Sequence, residues 1–106
     1  MKHFLLEGEH LVPFNELGHL VEEHHAFLDR GYREGVFLFS GPQIPPHGGF
    51  LVARAVSIEG LNAYLKDEPF VKAKVMRFSR IVEFDAAQYQ DFLKEWFKAV
   101  DVGSSS

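Results

Sequence analysis

The sequence predicts an α+β domain, an antiparallel sheet with its main helices on one face. Three observations predict it. Short runs dense in strand formers alternate with amphipathic stretches of helical period. The runs arrive in the order strand, helix, strand, strand, helix, strand. A chain of 106 residues, 46% hydrophobic and 25% charged, has room for one core and not two.

The first run, His3-Phe4-Leu5-Leu6, stops at Glu7 before the turn-prone Gly8 and Pro13, which places a strand at about residues 2 to 7. Asn15 then offers a side-chain oxygen as an N-cap, and Glu16, Glu22 and Glu23 sit in the early turns, where the helix dipole favours negative charge. From there a helix runs to about Glu34. Its Leu17, Leu20, Val21, Phe27 and Leu28 recur at three-, four- and seven-residue spacings. Gly18 and Gly31 weaken it slightly, and Gly35 ends it as a left-handed cap.

Val36-Phe37-Leu38-Phe39-Ser40 reads as the second strand, stopped at Gly41-Pro42 because a proline ring cannot donate to a ladder. The stretch from Gly41 to Gly49, with three prolines and three glycines, reads as a loop or wide hairpin connection. Phe50 to Val56 is the third strand. Ser57 caps a short helix through about Lys66, which Asp67-Glu68-Pro69 interrupts. The last strand spans about Val75 to Phe84, with Met76, Phe78, Val82 and Phe84 alternating with Arg77, Ser79 and Glu83. Asp85 then caps a C-terminal helix over about Ala86 to Val100, which carries Tyr89, Phe92, Leu93, Trp96 and Phe97 on one side. Residues 101–106 form a tail expected to be disordered. The expected division is therefore a domain over 1–84, an added helix over 85–100 and the tail. The order of elements is the ferredoxin-like βαββαβ plan with one extra helix.

Composition removes several function classes. With no cysteine there is no disulfide framework, zinc-thiolate site, iron-sulfur cluster or thiol nucleophile. Eleven basic against fifteen acidic residues give a net charge of −4, which argues against nucleic-acid or anionic-membrane partners. No apolar run approaches the roughly 18 residues of a membrane span, and the opening run is too short for a signal peptide, so a cytoplasmic location is expected. Small molecules or other chains remain as partners. In the second strand Val36 and Leu38 point one way and Phe37 and Phe39 the other; in the third, Phe50 and Val52 oppose Leu51 and Ala53. Both sheet faces are thus apolar, and helices cover only one. A second copy related by a twofold axis is the simplest cover for the other, so a homodimer is expected, with the C-terminal helix as the competing cover.

Proton chemistry would fall to histidine and carboxylates. Of six histidines, His3 begins a strand, His10 and His47 lie in loops, and His19, His24 and His25 lie on the first helix. His3 and His10 are read as structural or neutral. His24 follows Leu17 by seven residues, Leu20 by four and Val21 by three, so it belongs to the inward stripe, while His25 is turned by about 100 degrees towards solvent. His24 is either a buried histidine bonded to a backbone carbonyl or a functional base. His19 and His24, about 140 degrees apart, should not share a metal ion. Glu68 stands before Pro69, which drives it to an extended conformation and projects its carboxylate from a fixed corner. It is either a solvated turn residue or a functional acid. Gly41-Pro42 is likewise either a strand terminator or a place where a ligand approaches the backbone.

Taken together, these segments resemble the YciI-like family. The resemblance rests on His24-His25-Ala26-Phe27-Leu28, Gly35, Ser40-Gly41-Pro42, Gly48-Gly49-Phe50 and Glu68-Pro69-Phe70-Val71, and covers about residues 1 to 84. It implies a ferredoxin-like fold paired as a dimeric α/β barrel. It also implies a catalytic dyad of the helix histidine, here His24, with the aspartate before proline, a position held here by Glu68 with one more methylene; Asp67 is the alternative partner, if the turn is rotated. Relatives in the family include a dehydrochlorinase acting on a chlorinated hydroxyhydroquinone, and the wider fold hosts isomerases and cofactor-free monooxygenases; fold alone does not choose among them.

The expectation that follows is a cofactor-independent lyase or isomerase that moves a proton on a small cyclic or aromatic molecule. His24 would act as acid or base, Glu68 would fix its tautomer, and Ser40, Gly41, Pro42 and Phe39 would border the substrate, with no metal required. The alternative is a noncatalytic ligand-binding or interaction module of the same fold, in which the cavity is filled and His24 meets only a backbone carbonyl.

Overall fold

The computed structural model describes residues 1–99. The expected tail over 101–106, and Val100 at the end of the expected helix, lie outside the described residues. Strands β1 (Lys2–His10), β2 (Phe37–Pro42), β3 (Gly48–Ala55) and β4 (Met76–Phe84) form one antiparallel sheet in the order β2-β3-β1-β4. Helices α1 (Val21–Arg33) and α2 (Ile58–Leu65) pack on one face of it, followed by the single-turn α3 (Pro69–Lys72). This is the ferredoxin-like α+β arrangement. A further short helix, α4 (Lys94–Lys98), follows the sheet.

The main core lies between the sheet and the two long helices. Phe4, Leu6, Phe37, Leu51 and Ala53 of the strands meet Phe27 of α1 and Leu61 and Leu65 of α2. Each large side chain so buried is worth roughly 1.5–3 kcal/mol of transfer free energy. A second cluster of Leu17, Phe70 and Met76 sits at the other end of the helical layer.

Local signals hold at several termini. Gly35 adopts φ 74°, with its N–H donating to Tyr32 O and the Val36 N–H donating to Gly31 O, which is the Schellman closure of α1. Ser57 Oγ accepts from the Gly60 N–H at 3.0 Å and caps α2. Other boundaries depart from the sequence expectation. Asn15 caps nothing: residues 14–20 make two 3-10 turns, Phe14–Glu16 and Gly18–Leu20, and α1 begins only at Val21. The reason is tertiary, since the turns lower Leu17 into full burial beside Phe70 and Met76. Strand β1 runs on to His10, so His10 is a strand residue and not a loop residue. The ladder also claims Pro42 and Gly48, leaving a connection of residues 43–47; Pro42 is tolerated because β2 is an edge strand.

Two irregularities change which face side chains occupy. In β2 the register jumps from Phe37↔Ala53 to Phe39↔Val52, so Leu38 is the extra residue and Phe39 turns to the face opposite Phe37. In β4, Gly8 pairs with Phe78 but Glu7 pairs with Arg80, leaving Ser79 extra. Met76, Phe78 and Ile81 therefore face the helices, while Val82 and Phe84 face the other way, and the single alternating stripe expected over β4 is broken.

The expected C-terminal helix is also shorter than its periodicity suggests. Residues 85–90 are not helical, Asp85 is not a cap, and a 3-10 turn at Asp91–Leu93 leads into α4. This segment lies across one end of the open sheet face. Phe97 meets His3 edge-on at 4.8 Å, the Arg54 guanidinium stacks 3.5 Å from the Trp96 ring, and Arg54 Nη1 donates to Trp96 O at 2.8 Å. Leu5, Phe39, Phe50 and Val82 stay exposed on the rest of that face.

Gly31 is a fold requirement and not a mere weak point of the helix. A Cβ there would lie 2.1 Å from the buried Phe37 ring. Alanine gains about 1 kcal/mol of helix propensity, yet overpacking costs about 1–3 kcal/mol. Gly31→Ala is expected to lower the urea midpoint with an unchanged m-value; a raised midpoint would show that the Phe37 ring yields freely.

Candidate active site

His24 is on the first half of α1, and Glu68 is the residue from which α3 starts. Pro69 at the first helical position holds Glu68 at φ −64°, ψ 123°, the extended conformation expected before proline. From there its carboxylate turns back and Oε2 accepts the Val71 N–H at 2.9 Å, an N-cap bond. The other oxygen, Oε1, lies 2.5 Å from His24 Nδ1. Glu68 is only 2% exposed and His24 21%.

Burying a carboxylate is costly unless it is bonded, and both oxygens here are. An ionised carboxylate can only accept, so the proton between the groups belongs to His24 Nδ1 and the lone pair of the neutral ring to Nε2. Phe70, two residues beyond Glu68, lies flat against the imidazole with ring centroids 4.1 Å apart and 9° between planes. The ring is thus fixed at one edge by the acid and on one face by the phenyl. Asp67 is exposed. Glu68, not Asp67, meets the histidine.

Beside this pair is a cavity of about 370 Å³ between α1 and the sheet. It exists because of what the helix-facing side of the sheet lacks. Where Leu6 pairs with Leu51 and Leu51 with Ser40, the next helix-facing layer is Gly8 opposite Gly49 and Gly49 opposite Pro42. Small residues replace large ones there: Gly49 and Pro42 border the cavity, and the Met76 side chain lies over Gly8. Phe14, Phe27, Phe70 and Phe78 supply apolar wall, and His10, His24, His25, Asp29, Tyr32, Ser40 and Glu68 supply polar groups. The Tyr32 hydroxyl and Ser40 Oγ are hydrogen-bonded at 2.5 Å.

Of the residues singled out from sequence, His24, Glu68, Ser40, Gly41 and Pro42 come together at this cavity. Phe39 does not: the bulge at Leu38 turns it to the opposite face, where it is 57% exposed. Pattern reading missed His10, Tyr32 and Phe70. The even positions Phe4, Leu6, Gly8 and His10 share a strand face, which is the signal that could have found His10. Among the described residues, no group of three or more His, Asp or Glu is placed to hold a metal ion.

Fold and cavity together define a small ferredoxin-like α+β protein with a part-buried histidine–carboxylate contact beside an aromatic-walled pocket. The chain belongs to the YCII-related domain family, which matches residues 1–85. Among solved structures, it is similar to 5-chloro-2-hydroxyhydroquinone dehydrochlorinase from Burkholderia phenoliruptrix AC1100 in complex with 2,5-dihydroxybenzoquinone. That similarity has a TM-score of 0.61 at 16% identity and covers 85% of this chain and 94% of the other. Comparison with curated proteins returns no match.

Removing the carboxylate should release both groups that it holds. Glu68→Ala is expected to cost about 1–3 kcal/mol through the lost cap and the unpaired imidazole. It should also move the His24 proton from Nδ1 towards Nε2, read by long-range proton–nitrogen correlation of the ring. An unchanged tautomer would mean that Glu68 does not orient His24.

Proposed function

We propose that this protein is a cofactor-independent enzyme that transfers a proton on a small cyclic or aromatic molecule, in a lyase- or isomerase-type reaction. The observation that carries the reading is the 2.5 Å His24 Nδ1 to Glu68 Oε1 contact, with the acid buried and the ring bordering a cavity. His24 Nε2 takes a proton from the substrate, and Glu68 stabilises the imidazolium that results without itself being protonated. Returning the proton to another atom completes an isomerisation; departure of a leaving group completes an elimination.

The cavity volume is near the lower end of the usual range for ligand pockets, about 300–1,000 Å³, which favours one substituted ring over fused systems. The dehydrochlorinase that the fold resembles acts on a hydroxylated ring and holds a dihydroxybenzoquinone, and this supports the same substrate class here. Ser40, Gly41 and Pro42 border the substrate, with Tyr32 holding the Ser40 hydroxyl.

Chloride release from 5-chloro-2-hydroxyhydroquinone, together with binding of 2,5-dihydroxybenzoquinone, tests the reading. His24→Ala should reduce turnover by about 10²- to 10⁴-fold, the usual worth of positioned acid–base catalysis. Binding with no chloride release would favour the noncatalytic ligand-binding module; neither binding nor release would overturn the ring-substrate class.

We also infer a homodimer, supported by the exposed Leu5, Phe39, Phe50 and Val82 on the sheet face that the C-terminal segment leaves open. Light scattering should give twice the monomer mass, and Val82→Glu should yield monomer. A wild-type monomer at micromolar concentration would refute the pairing.

A further inference from the structure

We propose that His10 is a second ligand-contacting imidazole of the cavity, donating a hydrogen bond from Nε2 to an oxygen substituent of the bound ring. The proposal deepens the reading above and rests on it for the chemical class of the ligand.

The backbone puts His10 there. β1 continues past Gly8, and the His10 N–H donates to His47 O at 2.9 Å while the Leu11 N–H donates to Val75 O at 2.8 Å, fixing the strand end between two neighbouring segments. His10 shares the helix-facing side with Phe4, Leu6 and Gly8 and lines the cavity. Its ring stands edge-on to Phe70 at 6.1 Å and tilted against Phe14 at 5.8 Å. Phe70 therefore carries one imidazole flat on it, His24, and meets a second at a steep angle, His10.

The protonation state follows from the surroundings. His10 Nδ1 is sealed from solvent and has no hydrogen-bond partner among the described residues. An imidazolium would leave a charged N–H buried and unpaired there, whereas a neutral ring leaves only a lone pair, so the hydrogen belongs on Nε2. Burial, and then the neighbouring His24, lower the His10 pKa from 6.5, while Glu68 acts in the opposite direction. His10 is thus a neutral donor whose remaining nitrogen, Nε2, is the one left for a ligand.

The two histidines differ in role for a physical reason. His24 has a carboxylate at its back and can accept a proton; His10 has none hydrogen-bonded to it and gives a hydrogen bond instead. In proton abstraction from a hydroxylated ring, negative charge grows on a ring oxygen, and a fixed donor in a low-dielectric pocket stabilises it more than water does. A purely structural His10 would only fill space between Phe14 and Phe70, and a phenyl ring would serve equally well.

The decisive experiment uses the whole protein with nitrogen-15-labelled histidine and 2,5-dihydroxybenzoquinone as the probe. Addition of the probe is expected to shift the ring nitrogens of both His10 and His24. His10→Phe should keep its melting temperature close to wild type and weaken probe binding about tenfold, the worth of one hydrogen bond in a dry site. His10→Gln, which keeps a donor, should recover part of that loss. Shifts at His24 alone, with binding unchanged in His10→Phe, would overturn the proposal and leave the proposed function standing. Shifts at neither ring would overturn both. Shifts at both rings, with no loss of turnover in His24→Ala, would keep His10 as a ligand contact and remove the catalytic reading. Should His10→Phe not fold, the labelled spectrum and His10→Gln still decide the matter.

Discussion

The site depends on one buried carboxylate. Glu68 is held by its own chain, through the Val71 N–H, before it meets His24, which is 44 residues away in sequence. Pro69 removes the helical alternative for Glu68 and starts α3 in one step. The acid is therefore oriented by covalent neighbours, and the imidazole is oriented by the acid. Phe70, carried on the same turn, presses on the ring face. Four consecutive residues, Glu68-Pro69-Phe70-Val71, thus define the setting of a histidine on another element.

The cavity beside that pair is made by missing bulk. The layers of Phe4, Leu6, Leu51 and Ala53 fill the space under α1 and α2, whereas Gly49 and Pro42 of the next layer border the cavity. Since protein interiors are otherwise close-packed, a run of small residues on one sheet face opens a volume that side chains elsewhere would occupy. The walls of that volume are mainly aromatic, and its polar groups are few and convergent, which is the pattern of a small-molecule site.

The other face of the sheet is governed by the two bulges and by the C-terminal segment. Had the strands kept strict alternation through Leu38 and Ser79, Phe39, Val82 and Phe84 would point to the helices. With the bulges, these side chains join Leu5 and Phe50 on the side that no long helix covers. Trp96 and Phe97 cover only its end, over Arg54 and His3. The amphipathic pattern of residues 86–99 is real, yet it is satisfied by ring stacking on the sheet with only a short helix.

What the sequence determined by itself is local: the strand runs, the left-handed turn at Gly35, the Ser57 cap and the extended backbone at Glu68 all follow from neighbours within a few residues. The choice of His24 over His25 was legible too, because helical period turns His24 to the half-buried side, while His25 stays exposed although it also borders the cavity. What only the tertiary structure decided is long-range. The late start of α1, drawn back by the burial of Leu17, the extension of β1 to His10, and the face taken by Phe39 all depend on packing or on pairing with distant strands. A one-residue shift in register moves a side chain from one face to the other, and nothing in a local pattern records where such a shift occurs.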